Sequence, residues 1–224
     1  TDAPAEGGSG CSGISQYRFS KNGGLSWSSW VNNGEYVFSD LYQYTRYSIR
    51  VQAKDMAGNI KDSDTSTVLT DKIEEIGVGS ATPTDWTDGD VTVSLPTKRD
   101  YTTVYTTNGE EPNADSKPYN GSFQVTGNCV INYAYSDGIN VGEYKTLNIT
   151  NIDKLKPRSV TIITTKEGTN LITIYASASD APAEGGNGCS GISQYRFSSN
   201  GGVSWTAWQS SSSYVFRNLT QYSQ

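Results

Sequence analysis

Residues 1–46 return as residues 179–224, with 30 of 46 positions identical at a constant offset of 178. TDAPAEGGSGCSGISQYRFSKNGGLSW becomes SDAPAEGGNGCSGISQYRFSSNGGVSW. Close copies separated by unlike sequence mark a tandem array, in which one supersecondary unit is duplicated to gain length. Such a chain folds as a row of small cores, which points away from a single catalytic pocket.

Composition sets the class of those cores. With one Met and few Leu, no stretch carries apolar residues at a 3.6-residue period. Tyr, Thr, Val, Ile and Trp recur instead in short runs broken by Gly, Asn, Asp and Ser, which predicts an all-β chain with many turns. Trp and Tyr return about every ten residues, a density that disordered chains lack. The net charge of −6 and the absence of a basic, aromatic-interleaved stripe argue against nucleic acid as a partner. Most of the acidity sits at 73–154, with 12 acidic against 5 basic residues, and reads as a solvated face. No apolar run approaches the roughly 18 residues of a membrane span. Neither an initiating Met nor a signal peptide opens the sequence, so processing or an internal excerpt is expected.

Two junction phrases divide the chain: STVLTDKI around Asp71 and Lys72, and LNITNIDKLKP around Asp153 and Lys154. The units expected are 1–72, 73–154 and 155–224. The middle unit then has 154 − 72 = 82 residues and a full outer unit 178 − 82 = 96, both suited to a seven-stranded sandwich. Outer-unit strands are expected at 159–166 and 171–179 around a Gly-Thr-Asn turn at 168–170, then at 14–20 (or 192–198), 27–31, 35–41, 46–55 and 64–70. In the run at 46–55, Tyr47, Ile49, Val51 and Ala53 alternate with polar residues, predicting one core face and one wet face.

On this reading the first unit lacks its first two strands and the last unit its last two. About six inward-facing residues at ~2 kcal/mol each would be missing, on the scale of a whole domain's stability. Three arrangements could supply them. The residues could be an excerpt of a longer repetitive polypeptide, strands 159–179 could be donated between molecules to build a filament, or they could fold back within the chain.

Leu41 followed by YSIRVQAKDMAGN (47–59) resembles the region of fibronectin type III domains and bacterial immunoglobulin-like relatives that ends in an Asp-x-Ala-Gly-Asn hairpin. The resemblance implies tandem immunoglobulin-like sandwiches, with Tyr47 as the tyrosine-corner residue. In the middle unit Tyr105, Thr107, Gly109, Pro112, Tyr119, Gly121 and Phe123 resemble the small sandwich at the C-termini of chitobiases and β-hexosaminidases. That likeness implies a fold and an extracellular setting, and no catalytic residue. Ser20–Trp27, repeated as Ser198–Trp205, is similar to the Asp-box of bacterial sialidases with Asn in place of Asp, a structural hairpin in that family. Asn22, Gly23 and Gly24 suffice for a tight turn in any case, since they adopt positive φ cheaply.

Chemistry is sparse. There is no His, which removes the commonest general base and metal ligand. Cys11, Cys129 and Cys189 fall in separate units and are expected as buried free thiols. Asp85, Asp88 and Asp90, and Glu110, Glu111 and Asp115, lack the spacing of a calcium loop and read as surface turns. Asn120, Asn148 and Asn218 sit in Asn-x-Ser/Thr, a pattern frequent by chance in a Ser/Thr-rich chain. Trp27, Trp30 and Trp86 are the candidates for a flat carbohydrate platform, against the alternative that they serve as core or rim.

The expectation is a non-enzymatic repeat segment of a bacterial cell-surface or secreted fibrous protein: a stalk, adhesin or filament. It needs no cofactor, metal or membrane insertion, and its partners would be neighbouring repeats, copies of itself, or cell-surface glycans. The alternatives are a carbohydrate-binding array of a glycoside hydrolase and a phage tail-fibre module.

Overall fold

The computed structural model describes residues 10–166, 170–182 and 188–219; Gly168 and Thr169 of the expected turn lie outside them. Every regular element among the described residues is a strand.

The central unit holds seven strands in two sheets. β5 (Ser80–Thr82), β6 (Val91–Ser94) and β9 (Phe123–Val125) form one, in the order β5-β6-β9. β7 (Thr102–Thr106), β8 (Lys117–Pro118), β10 (Cys129–Ser136) and β11 (Lys145–Ile149) form the other, in the order β11-β10-β7-β8. Alternation in β6 sends Val91 and Val93 to full burial and leaves Thr92 and Ser94 partly exposed, as a sheet with one apolar face requires. Facing them from β10 are Ile131 and Tyr133, and Tyr105 of β7 stacks on Phe123 of the opposite sheet at 4.5 Å. One core thus runs from Ile73 to Ile152. The buried Tyr133 hydroxyl accepts the Gly79 amide at 2.8 Å, which satisfies both groups. Gly79 is tightly enclosed, since a Cβ there would sit 3.0 Å from the Leu95 side chain and 3.2 Å from the Tyr133 hydroxyl.

The outer units each show a single sheet. In the first, β1 (Ile14–Ser20), β2 (Arg46–Asp55) and β3 (Ile60–Asp62) run in order, and β4 (Ser66–Leu69) pairs with the first half of β2. In the third, β13 (Ile172–Ser179) lies between β12 (Ser159–Lys166) and β14 (Ser213–Phe216).

Identical sequences take different states in the two copies. ISQYRFS is a seven-residue strand at 14–20, laddered to β2, but at 192–198 it keeps only an isolated bridge, Tyr195 to Gln209. Tyr-Val-Phe is strand at 214–216, laddered to β13, and irregular at 36–38. The expected strands at 192–198 and 35–41 are therefore corrected, as is 27–31, where Val31 makes a lone bridge to Tyr17. Tyr36–Phe38 have no strand alongside among the described residues, and β propensity without a neighbour does not make one, whereas 27–31 and 192–198 do lie along a neighbour but share only three backbone bonds with it, too few for a continuous ladder.

Two further expectations are revised. In β2 both alternating sets from Tyr47 to Lys54 are half-buried, rather than one core face and one wet face. No second sheet among the described residues closes over the apolar side, and indole rings cover much of the polar side. Cys11 is exposed rather than buried, and Cys129 and Cys189 are intermediate, because Cys11 sits in the open loop ahead of β1.

Candidate functional site

The hairpin after β1 has a side-chain frame. The Asn22 Oδ1 accepts from Ser20 Oγ at 2.9 Å and from the Ser26 amide at 2.9 Å, while Ser20 Oγ accepts the Gly24 amide at 2.9 Å. Gly23 and Gly24 take φ of 73° and 97°, values a side chain would strain. Asn200, Ser198 and Gly202 repeat these bonds at 2.9, 2.9 and 2.8 Å. The turn fixes where the following tryptophans fall.

Those tryptophans are tied to cations. The Arg18 guanidinium lies 5.1 Å from the Trp27 ring centroid and 4.7 Å from that of Trp30, and Lys54 Nζ lies 4.6 Å from Trp30. Arg18 also donates to Gln52 at 2.6 Å, and Gln52 and Arg50 both donate to Asp62. In the second copy Arg196 sits 4.8 Å from Trp205 and 4.6 Å from Trp208. Ladders of this kind contribute about 0.5–1 kcal/mol per contact at exposed sites and occupy ring surface that a sugar would otherwise stack on. Trp27 and Trp30 therefore share one sheet face and one cation. Trp86 lies elsewhere, beside Gly188, where a Cβ would come within 3.3 Å of the indole.

Tyr47 reaches back to the loop before β2: its hydroxyl accepts the Tyr42 amide at 2.9 Å. The same loop is bolted to the central unit. Gln43 receives the Ile73 amide on Oε1 at 2.8 Å, donates Nε2 to the Val141 carbonyl at 2.7 Å, and donates its own amide to Asn140 Oδ1 at 3.0 Å. Asn140 Nδ2 completes the joint on the Leu41 carbonyl at 3.0 Å, and Lys72 pairs with Glu143. Asp137 holds the far side of the loop. Burial pushes its carboxyl up, but hydrogen bonds from Asn140 and Ile139 outweigh this and keep it below the usual range.

A second joint uses Asp153, whose Oδ2 accepts the Ser190 amide at 2.7 Å and whose Oδ1 accepts the Leu155 amide at 3.1 Å. The Ser190 backbone bond comes first among the causes that hold this carboxyl below its ordinary value. A depressed aspartate stabilises the folded arrangement above its unfolded pKa, about 4, and the contribution is lost as pH falls through the lower folded value. The Ser190 amide resonance should accordingly hold steady from neutral pH to about 4 and move below it. In Asp153→Ala that movement should vanish.

The acidic turns are spent on surface pairs: Asp90 accepts Lys154 at 2.6 Å and Glu111 accepts the Tyr144 hydroxyl at 3.3 Å. Among the described residues no three His, Cys, Asp or Glu side chains cluster as metal ligands do, and no helix is long and apolar enough to cross a membrane. Sequence reasoning missed Arg18, Lys54 and Gln43. The repeat carried a signal for two of them, since Arg18 returns as Arg196 and Gln43 as Gln221, the latter outside the described residues.

Facing sheets of three and four antiparallel strands over one core make the central unit an immunoglobulin-like β-sandwich. The outer sheets run β12-β13-β14 and β1-β2-β3, each antiparallel throughout. Residues 83–161 match the family model for the chitobiase/beta-hexosaminidase C-terminal domain. No curated protein matches the chain. Among solved structures, the chicken CNTN1 FN1–FN3 domains are similar over 62% of this chain and 56% of that one, at 16% identity and a TM-score of 0.27. This chain thus spans little more than half of that structure's length.

Proposed function

We propose that this chain is a non-catalytic spacer from a bacterial cell-surface or secreted fibrous protein, acting as a stalk, adhesin shaft or filament. The observation that carries it is the Gln43 joint, where the first unit's sheet and the central sandwich are fixed by side-chain to backbone bonds in place of an open cleft. Duplication of the hairpin and its Trp–Arg ladder 178 residues apart adds to it, since repetition with unchanged geometry extends reach without altering the local surface. Single-molecule pulling on the whole chain tests it. The 80 residues from Ile73 to Ile152 should release as one cooperative step of about 280 Å, at ~3.5 Å per residue. Gradual extension without that step would contradict a load-bearing role.

A second reading, a carbohydrate-binding array, is favoured by the exposed indole at Trp86, which is 47% accessible and lies apart from the Arg18 and Arg196 ladders. It predicts retention on immobilised glycans that Trp86→Ala abolishes. Such retention would replace the spacer reading.

A further inference from the structure

The polar face of the first sheet holds positive charge that the protein does not neutralise. Lys72, Lys98, Lys145 and Lys154 each pair with a carboxylate. Among the described residues none pairs with Arg18 or Lys54, although the chain has 23 acidic against 17 basic residues. Both cations are held on indole faces instead, which fixes a charge without cancelling it. Asp62, on the same face, is occupied by Arg50 at 2.9 Å and by Gln52 at 2.6 Å. In the second copy Arg196 is stacked in the same way against Trp205 and Trp208, which are 50% and 56% exposed, and it too pairs with no carboxylate among the described residues.

Strand register makes this face a flat, sparsely charged ribbon. Arg50, Gln52 and Lys54 share one side of β2, so Arg50 and Lys54 stand about 13 Å apart, with Arg18 between them on β1 opposite Gln52. Arg18 Nε donates to Gln52 Oε1, and its two terminal nitrogens keep no acceptor among the described residues. Gln16 pairs with Lys54 and donates to Asn32 at 3.4 Å, which places amides beside the cations. Phe19, Val51 and Ala53 lie on the opposite side of the sheet, so any layer that covers them leaves the cations open.

Polyanions differ in how well they fit such a surface. Single-stranded nucleic acid needs open aromatic faces for its bases, and here cations already cover them. Duplex DNA carries one charge per about 1.7 Å of axis, far denser than these cations can match. A glycan chain with widely spaced carboxylates or sulfates, and hydroxyls between them, suits both the cations and the amides. We propose that the Arg18–Lys54 face, and its counterpart at Arg196, bind a polyanionic glycan: its anionic groups on the guanidinium and ammonium nitrogens, its hydroxyls on Gln16 and Asn32. Two such faces 178 residues apart engage one long polymer together, which adds avidity.

Retention of the whole chain on immobilised heparin, a polysulfated glycan, is the test. The chain should bind at low salt and release as salt rises, because each contact displaces a counterion. Arg18→Gln/Lys54→Gln/Arg196→Gln should weaken binding by roughly tenfold or more. Lys54→Gln alone, which leaves the Arg18 stack in place, should weaken it in part. Arg99→Gln/Lys156→Gln/Arg158→Gln removes the same charge from exposed sites elsewhere and should bind like the unaltered chain. Trp86→Ala should also bind unchanged, which separates this face from a stacking platform at Trp86. Equal loss in the two triple variants would mean diffuse attraction, and no retention at low salt would mean no site; either overturns the proposal. Tighter binding to polyglutamate, oligothymidine or phosphatidylglycerol vesicles than to heparin overturns it as well, by favouring another polyanion. The pulling experiment reads the spacer role independently of these outcomes.

Discussion

Ile131→Ala should lower the melting temperature of the central sandwich by roughly 15 °C, seen by calorimetry as a shift of one transition. Ile131 is fully buried, at 0% accessibility, in the core shared by Val91, Val93, Tyr105 and Ile149. Truncating an isoleucine in such a place costs about 2–5 kcal/mol, the transfer of the lost methyl groups plus the cavity left behind. For a domain of this length each kcal/mol moves the midpoint by about 4–8 °C. The outer sheets contribute no residue to that core, which lies wholly between Ile73 and Ile152, so their signals should move little. A fall below about 5 °C would mean that the core relaxes around the vacancy, contrary to the close packing on both sides of Ile131.

Gln43→Ala should loosen the first joint. It removes the acceptor for the Ile73 amide and the donor to the Val141 carbonyl, and Ile73 is buried, so its N–H is left without a partner. Orphaning a buried backbone group costs about 1–3 kcal/mol, more than the bond itself contributes. Loss of the joint releases the backbone around the exposed Lys72, which the Ile73 amide bond to Gln43 otherwise holds in place. Trypsin cleavage after Lys72 should therefore accelerate by roughly tenfold for each 1.4 kcal/mol of local stability lost. Unchanged cleavage would place the restraint elsewhere, for instance in the Lys72–Glu143 pair.

Part of the central unit was legible from its motif residues. Val91 and Val93 show the period of two, and Tyr105 and Phe123, picked out by the resemblance to the chitobiase C-terminal sandwich, stack on each other in the core. The outer units were less so, because propensity and pattern are properties of a segment whereas a strand is a property of two. ISQYRFS and Tyr-Val-Phe are the same in both copies, and each is a strand only where a continuous ladder forms, with β2 in one case and β13 in the other. The tryptophans were found but their use was not. Nothing in WSSW says that Arg18 and Lys54, distant in sequence, will lie against the rings. Gln43 was invisible for a related reason: an uncharged polar side chain acquires its role only from the backbone groups that folding brings to it.

The loop at 41–44 grips more than the central unit. Thr70 Oγ1 donates to the Tyr42 carbonyl at 2.6 Å, and the Tyr44 amide donates to the Asp71 carbonyl at 3.2 Å, just beyond the end of β4. Tension arriving along the covalent chain at Lys72 would otherwise unzip β4 from β2 one rung at a time. With the tail clamped at Thr70 and Asp71, and the loop itself fastened through Gln43 and Asn140, the same tension must break several bonds at once. Resistance then scales with their sum, and the weakest edge of the sheet is shielded from the pull.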